Sequence, residues 1–282
     1  MTYDTIAAVD YSGAESLAAQ RKHIYLTTIE NKKSVTEIVS GISRDECREQ
    51  IQSLLHKAHK NKKYCLIGFD FSFWFPSGFF KQLYKQRLKS WRDGLRTVTA
   101  GAKNIPALGE NPRNWAERIN DIFKREYRVD GGPFWGAGFS QKTKPVFPFD
   151  TLGFSPLRLV EERLPKMKSI FQIGGIGSVG LQALHGICQL HKLLDFCRFE
   201  NIPLHVWPFD DWQPAPARHL ICEIYPGLYN RGPKGDLEDS LASARWFANH
   251  TRDNLLAEEF NPQLTGTERK RSQMEGWVPG IF

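Results

Sequence analysis

The sequence predicts an α/β protein in which a mixed sheet, a three-strand antiparallel meander plus parallel strands, is flanked by helices. Three observations predict it. The chain opens on three short segments of alternating, β-branched character, later strand-like runs are separated by amphipathic stretches, and 282 residues with 41% hydrophobic content suffice for one large core. The elements follow in order. TIAAVDY (5–11), HIYLTTIE (23–30) and KKSVTEI (33–39), with turn-prone residues between them, read as the meander. A helix is expected over 44–60, where Ser43 supplies an N-cap, Glu46 follows three residues later, and Ile51, Leu54, Leu55 and Ala58 form an apolar stripe. KYCLIGFDF then reads as a short buried strand closing on Asp70, as the first strand closes on Asp10.

From 76 to 168 the pattern loosens, with helices expected around 77–92 and 113–127 and Gly- and Pro-rich loops such as DGGPFWGAGF. This stretch reads as a basic helical insertion within a single domain spanning 1–282, because the flanking segments look like halves of one sheet. SIFQIGGIGSVG reads as a strand running into a glycine loop, ahead of an amphipathic helix near 178–199. Strands are expected at 203–208 and 219–225, and a final strong helix from Asp236 in GDLEDSLASARWFANH.

The formal charge is +7, and it is uneven: residues 81–128 hold twelve Lys and Arg against five acids, a surplus equal to that of the whole chain. Interleaved with Tyr84, Trp91, Trp115 and Tyr127, these cations suit phosphate neutralisation with base stacking, although a solvated helical face explains the same pattern. Arg87, Lys89, Arg92, Arg96, Lys103 and Arg113 are the candidate nucleic-acid contacts. Five cysteines without CxxC spacing argue against a disulfide framework or a zinc site and suit a reducing cytoplasm. MTYDTIAAVD lacks a basic leader and no stretch approaches the roughly 20 apolar residues of a span, so a soluble cytoplasmic protein with no membrane partner is expected.

The acids carry the chemistry. Asp236 and Asp239, three apart on a helix, share one face, and Asp10 and Asp70 each end a strand. Singly, each reads equally as a cap, turn or ion-pair residue. Converging carboxylates repel one another unless a cation neutralises them, and oxygen-only donors suit Mg²⁺ or Mn²⁺. A pair of such ions activates water and stabilises the leaving oxygen in phosphodiester cleavage.

The order βββαβ, a helical interruption, then αβα, with these acids, resembles the ribonuclease H-like superfamily, and the DxxD is similar to the last acidic pair of bacterial Holliday-junction resolvases. More closely, DYSGA, GFDFSFWFP, GSVGLQALHGI, CEIYPGLY, DLEDSLASA and EGWVPG resemble a family of predicted nucleases of that fold, known mainly as a domain of unknown function. The resemblance implies a divalent-metal-dependent nuclease using Mg²⁺ or Mn²⁺ with nucleic acid as partner, and leaves open whether the chain forms a homodimer as resolvases do. It implies that Asp10 bridges two ions, that Asp70 and Asp239 each hold one, and that Asp236 or Glu223 completes a shell or orients water. Ser12, behind Asp10, and Ser178, in the glycine loop, join the expected nucleic-acid contacts.

Rival readings stand beside this one. Gly175, Gly177 and Gly180 spell the GxGxxG of a dinucleotide site, yet Asp195, at the nominal spacing, falls inside a helix; a phosphate cradle with Gln172 and Ser178, or simple tight packing, fits as well. DYSGA passes for the phosphate turn of an actin-like ATPase, and a nucleic-acid-binding module of the same fold without turnover is the third class. Phe71, Phe73, Trp74 and Phe75 form either a base-stacking wall or a core cluster. His219 is a candidate for proton transfer, His250 for a helix C-cap, and Trp277 and Phe282 are expected to pack.

Overall fold

β1 (Thr5–Asp10) is buried along its whole length, as a strand with neighbours on both edges and cover on both faces must be. The computed structural model describes residues 2–30, 35–102, 104–109, 111–144, 147–175 and 177–282. After β1 come α1 (Leu17–His23), β2 (Tyr25–Glu30), β3 (Val35–Val39), α2 (Arg44–Lys60) and β4 (Cys65–Phe69). α3 (Phe79–Tyr84), α4 (Trp91–Ala100), α5 (Pro112–Tyr127), α6 (Leu159–Arg163) and α7 (Gly180–Phe199) follow. The chain ends with β5 (Leu204–Val206), β6 (His219–Glu223), α8 (Pro226–Tyr229), α9 (Asp236–Arg252), α10 (Leu256–Glu259) and α11 (Gly266–Glu275).

The strands form a six-stranded mixed sheet in the order β3-β2-β1-β4-β6-β5. β1–β2 and β2–β3 are antiparallel, while β1–β4, β4–β6 and β5–β6 are parallel. The α/β class with a mixed sheet and an opening meander is therefore present. α2 begins with the expected capping box: Ser43 Oγ accepts from Glu46 N, and Glu46 returns a carboxylate to Ser43 N.

The chain divides into two compact units, one formed by 1–71, 192–269 and 276–282, the other by Ser72–His191 with Lys270–Glu275. Sequence reasoning expected one domain with an insertion over 76–168, and the second unit is larger because it has a core of its own. Phe79 stacks on Phe75 and Phe123 at 5.0 and 5.8 Å, and Phe171 meets Phe134 edge-on at 5.1 Å. Phe73 and Phe75 are fully buried, so the aromatic run after Asp70 is core rather than an open stacking wall. Within this unit the fully buried Arg158 is paired with Glu161 at 2.9 Å and also donates to Ser72 Oγ and Glu275 O. The Glu275 carboxylate accepts from Ser77 N, Leu159 N and Arg271 Nε, which explains why 270–275 belongs here.

Several expectations are corrected. The helix expected over 77–92 is two: Lys85 takes a left-handed conformation and ends α3, and Ser90 caps a new start by accepting from Asp93 N. No strand is found in SIFQIGG among the described residues, where Gln172 N and Phe171 N turn back onto Ser169 and only a Trp135–Gln172 bridge forms. α1, capped by Ser16, was not expected: all of it but His23 fell in the turn-prone stretch between the first two expected strands. α9 is not last, since α10 and α11 follow, and His250 does not cap it: the helix runs to Arg252 and Asp253 is the cap. Trp277 packs, donating to Ile281 O, whereas Phe282 is 57% exposed. Among the described residues no helix is long and apolar enough to cross a membrane.

Candidate functional site

Parallel pairing of β1 with β4 decides where two of the acids go. Val9 stands beside Phe69, and Asp70 N donates to Val9 O at 3.0 Å, so Asp10 and Asp70 leave the C-terminal ends of neighbouring central strands side by side. Their side chains are hydrogen-bonded to each other. Asp10 is buried, and its carboxyl is pushed up to about 10, first by burial, then by the charge and hydrogen bond of Asp70, then by the charges of Asp236 and Asp239. Such a pair holds one proton between two carboxylates.

α9 brings the other two. It packs across β1 and β2 on a face of small residues, Ser240, Ser243 and Ala244, and Ser240 Oγ meets Thr27 Oγ1 at 2.8 Å in the buried contact. Gly68 permits the close approach on β4: a Cβ there would stand 2.5 Å from Ile224 Cγ2 and 3.5 Å from Phe247 Cε2. Asp236 is the first residue of α9 and Asp239 lies one turn on, so both carboxylates sit where the helix N-terminus favours negative charge.

Each has a neutral or basic neighbour. His23 Nδ1 lies 2.7 Å from Asp236 Oδ2, and Asn230 Nδ2 donates to Asp239 Oδ1 at 2.6 Å. The Tyr225 phenol is raised by burial and by the charges of Asp70 and Asp239, which places it at the same group of acids and keeps it protonated. His23, Asn230 and Tyr225 were missed from sequence. Tyr225 lies in a motif already singled out and Asn230 directly follows that motif, but His23 was read as the start of a strand.

Glu223 does not join the group. It stands in register with Phe69, one row before Asp10 and Asp70, and strand alternation turns it to the opposite face of the sheet. Ser12 answers for the turn behind β1: its Oγ accepts from Ala14 N, while Arg44 Nη1 holds Ser12 O and Ala14 O at 3.0 and 2.6 Å.

The remaining expected contacts lie in the Ser72–His191 unit. Arg87, Lys89 and Arg96 are exposed, Arg92 is half-buried against Trp91, and Arg113 donates to Gly138 O; Lys103 lies outside the described residues. Ser178 N donates to Gly175 O in the glycine loop. There a Cβ on Gly180 would stand 2.7 Å from Gln172 O, and one on Gly174 2.9 Å from Ala137 N. Tight packing thus accounts for Gly180, and the strand that a dinucleotide fingerprint requires does not precede the loop among the described residues.

Among the described residues no three His, Cys, Asp or Glu side chains are already arranged around one metal position. The donor set nonetheless fits a hard divalent cation: it is all oxygen, and the five strongest influences on Asp10 all raise its pKa, with no Lys or Arg among them. No protein-family model matches this chain, nor does any curated protein or solved structure. Fold and site together define an α/β protein with a carboxylate group at the C-terminal ends of the two central strands of its mixed sheet.

Proposed function

We propose that the chain is a divalent-metal-dependent nuclease of ribonuclease H-like fold that hydrolyses phosphodiester bonds. One observation carries the reading: the buried Asp10 carboxyl stands against Asp70 and under the charges of Asp236 and Asp239, an arrangement that costs stability unless a cation is meant to enter it. Asp10 and Asp70, with Asp239 and Asp236, would hold Mg²⁺ or Mn²⁺. Bound there, the ion supplies an activated water and charge neutralisation at the phosphate. The Asp10–Asp70 pair would release its proton to solvent as it took up such an ion. His23 and Asn230 orient the two α9 carboxylates. The protonated Tyr225 phenol donates a hydrogen bond to a phosphate oxygen.

The test is a cleavage panel of single-stranded, duplex, hybrid and four-way-junction substrates with Mg²⁺ or Mn²⁺, comparing the native chain with Asp10→Asn. We expect the variant to lose at least about 100-fold, the scale of removing a group needed in the transition state. Equal rates overturn the reading. A second reading, a module that binds nucleic acid without cutting it, draws on the lack of three ready-made ligands among the described residues. Salt-sensitive binding with no cleavage of any substrate favours it.

A further inference from the structure

We propose that the loop between α8 and α9, residues 230–235, is the element that grips the phosphate backbone of a nucleic acid beside the carboxylate group, through Arg231 and Lys234. The inference rests on the nuclease reading for its choice of ligand but names residues that sequence reasoning did not nominate.

A cluster of acids with a net negative charge repels a polyanion, so a site of this kind needs cations close by that the acids do not consume. The loop supplies them. Asn230 folds it: Oδ1 accepts from Gly232 N at 2.8 Å, while Nδ2 donates to Pro233 O at 2.7 Å and to Asp239 Oδ1 at 2.6 Å. One side chain therefore shapes the loop and ties it to a member of the acidic group. Arg231 and Lys234 are both exposed on it, and neither has a hydrogen-bond or ion-pair partner among the described residues, although Asp236, Glu238 and Asp239 follow directly in the chain. Two cations held next to carboxylates yet unpaired with them are available to an outside anion. By contrast, Lys124 and Arg125 of the basic stretch are committed to Asp121 and Glu126, and Arg113 to a backbone carbonyl. A phosphodiester chain suits the pair because Arg offers a bidentate fork to one phosphate and Lys a point charge to the next.

The experiment measures equilibrium binding of a fluorescent single-stranded oligonucleotide and its duplex to the full chain in chelator, so that no cleavage intervenes, across a salt series. We expect Arg231→Gln with Lys234→Gln to weaken binding about tenfold or more at low salt. The slope of log affinity against log salt should fall by roughly 0.7–0.9 per phosphate contact removed, with thermal stability unchanged. Asn230→Ala should reproduce part of the loss. Unchanged affinity and slope in the double variant, or no binding by the native chain, overturns the proposal. So does equal retention of poly-glutamate, which would mark a general polyanion surface. Because no turnover is involved, failure here is distinct from failure of the cleavage panel.

Discussion

Asp10 is the residue whose ionisation the fold works hardest against. In the unfolded chain an aspartate loses its proton near pH ~4, whereas the folded carboxyl keeps it to about 10. Below pH ~4 both states are protonated and Asp10 contributes nothing. As pH rises above that value the unfolded state releases a proton that the folded state retains, so stability falls through neutrality. In chelator at pH 8, Asp10→Asn should therefore melt higher than the native chain, by about 2–4 °C per kcal/mol relieved, and the gain should vanish near pH 4. Mg²⁺ or Mn²⁺ should raise the native melting temperature and leave the variant unmoved, which differential scanning fluorimetry reads directly.

His219 works in the opposite sense. It is fully buried, its Nδ1 accepts from Cys65 N at 3.1 Å, and burial, with the nearby His59, pushes it down to about 4. Between pH ~6.5 and 4 the unfolded state takes up a proton that the folded state refuses, so up to about 3 kcal/mol is lost as pH falls through that window. His219→Asn, which keeps an acceptor for Cys65 N, should flatten this arm of the stability curve. This places His219 in the sheet core and away from proton transfer.

At the scale of elements, the contact between α9 and the sheet sets the spacing of the acids. Gly68 leaves the space that Ile224 fills, and Ile224 directly precedes Tyr225. Gly68→Ala should cost about 1–3 kcal/mol through overpacking and lower turnover. Adding Ile224→Val should recover part of both, and a double-mutant cycle measured by denaturant unfolding checks the coupling. Additivity of the two changes would mean that the contact does not transmit to the site.

At the scale of the whole molecule, the second unit depends on a buried ionic network. Arg158 and Glu161 are both fully buried, and Arg158→Met leaves Glu161 without its counter-charge. The expected cost is about 3–5 kcal/mol. Hydrogen exchange should accelerate across Ser72–His191 while the β1 and β4 amides stay protected. Uniform acceleration in both units would show that they unfold as one.

Much of the fold was legible because its signals are local. The Ser43–Glu46 capping box lies within four residues, and the buried runs of β1 and β4 are contiguous apolar stretches. α1 was not legible, because a seven-residue helix with only Gln20 buried leaves almost no apolar period to read. The two cores were not legible either, since Phe75, Phe134 and Phe171 meet one another, and Phe79 meets Phe123, across long separations that carry no local mark.

What the sequence by itself determined is the class and the candidate acids, since strand period, helix period and the DxxD spacing are properties of neighbouring residues. Tertiary structure alone decided which acids meet. Parallel pairing of β1 with β4 put Asp10 against Asp70, packing of α9 over β1 and β2 added Asp236 and Asp239, and strand alternation turned Glu223 away. Carboxylate repulsion acts through space, so only the folded register could reveal it.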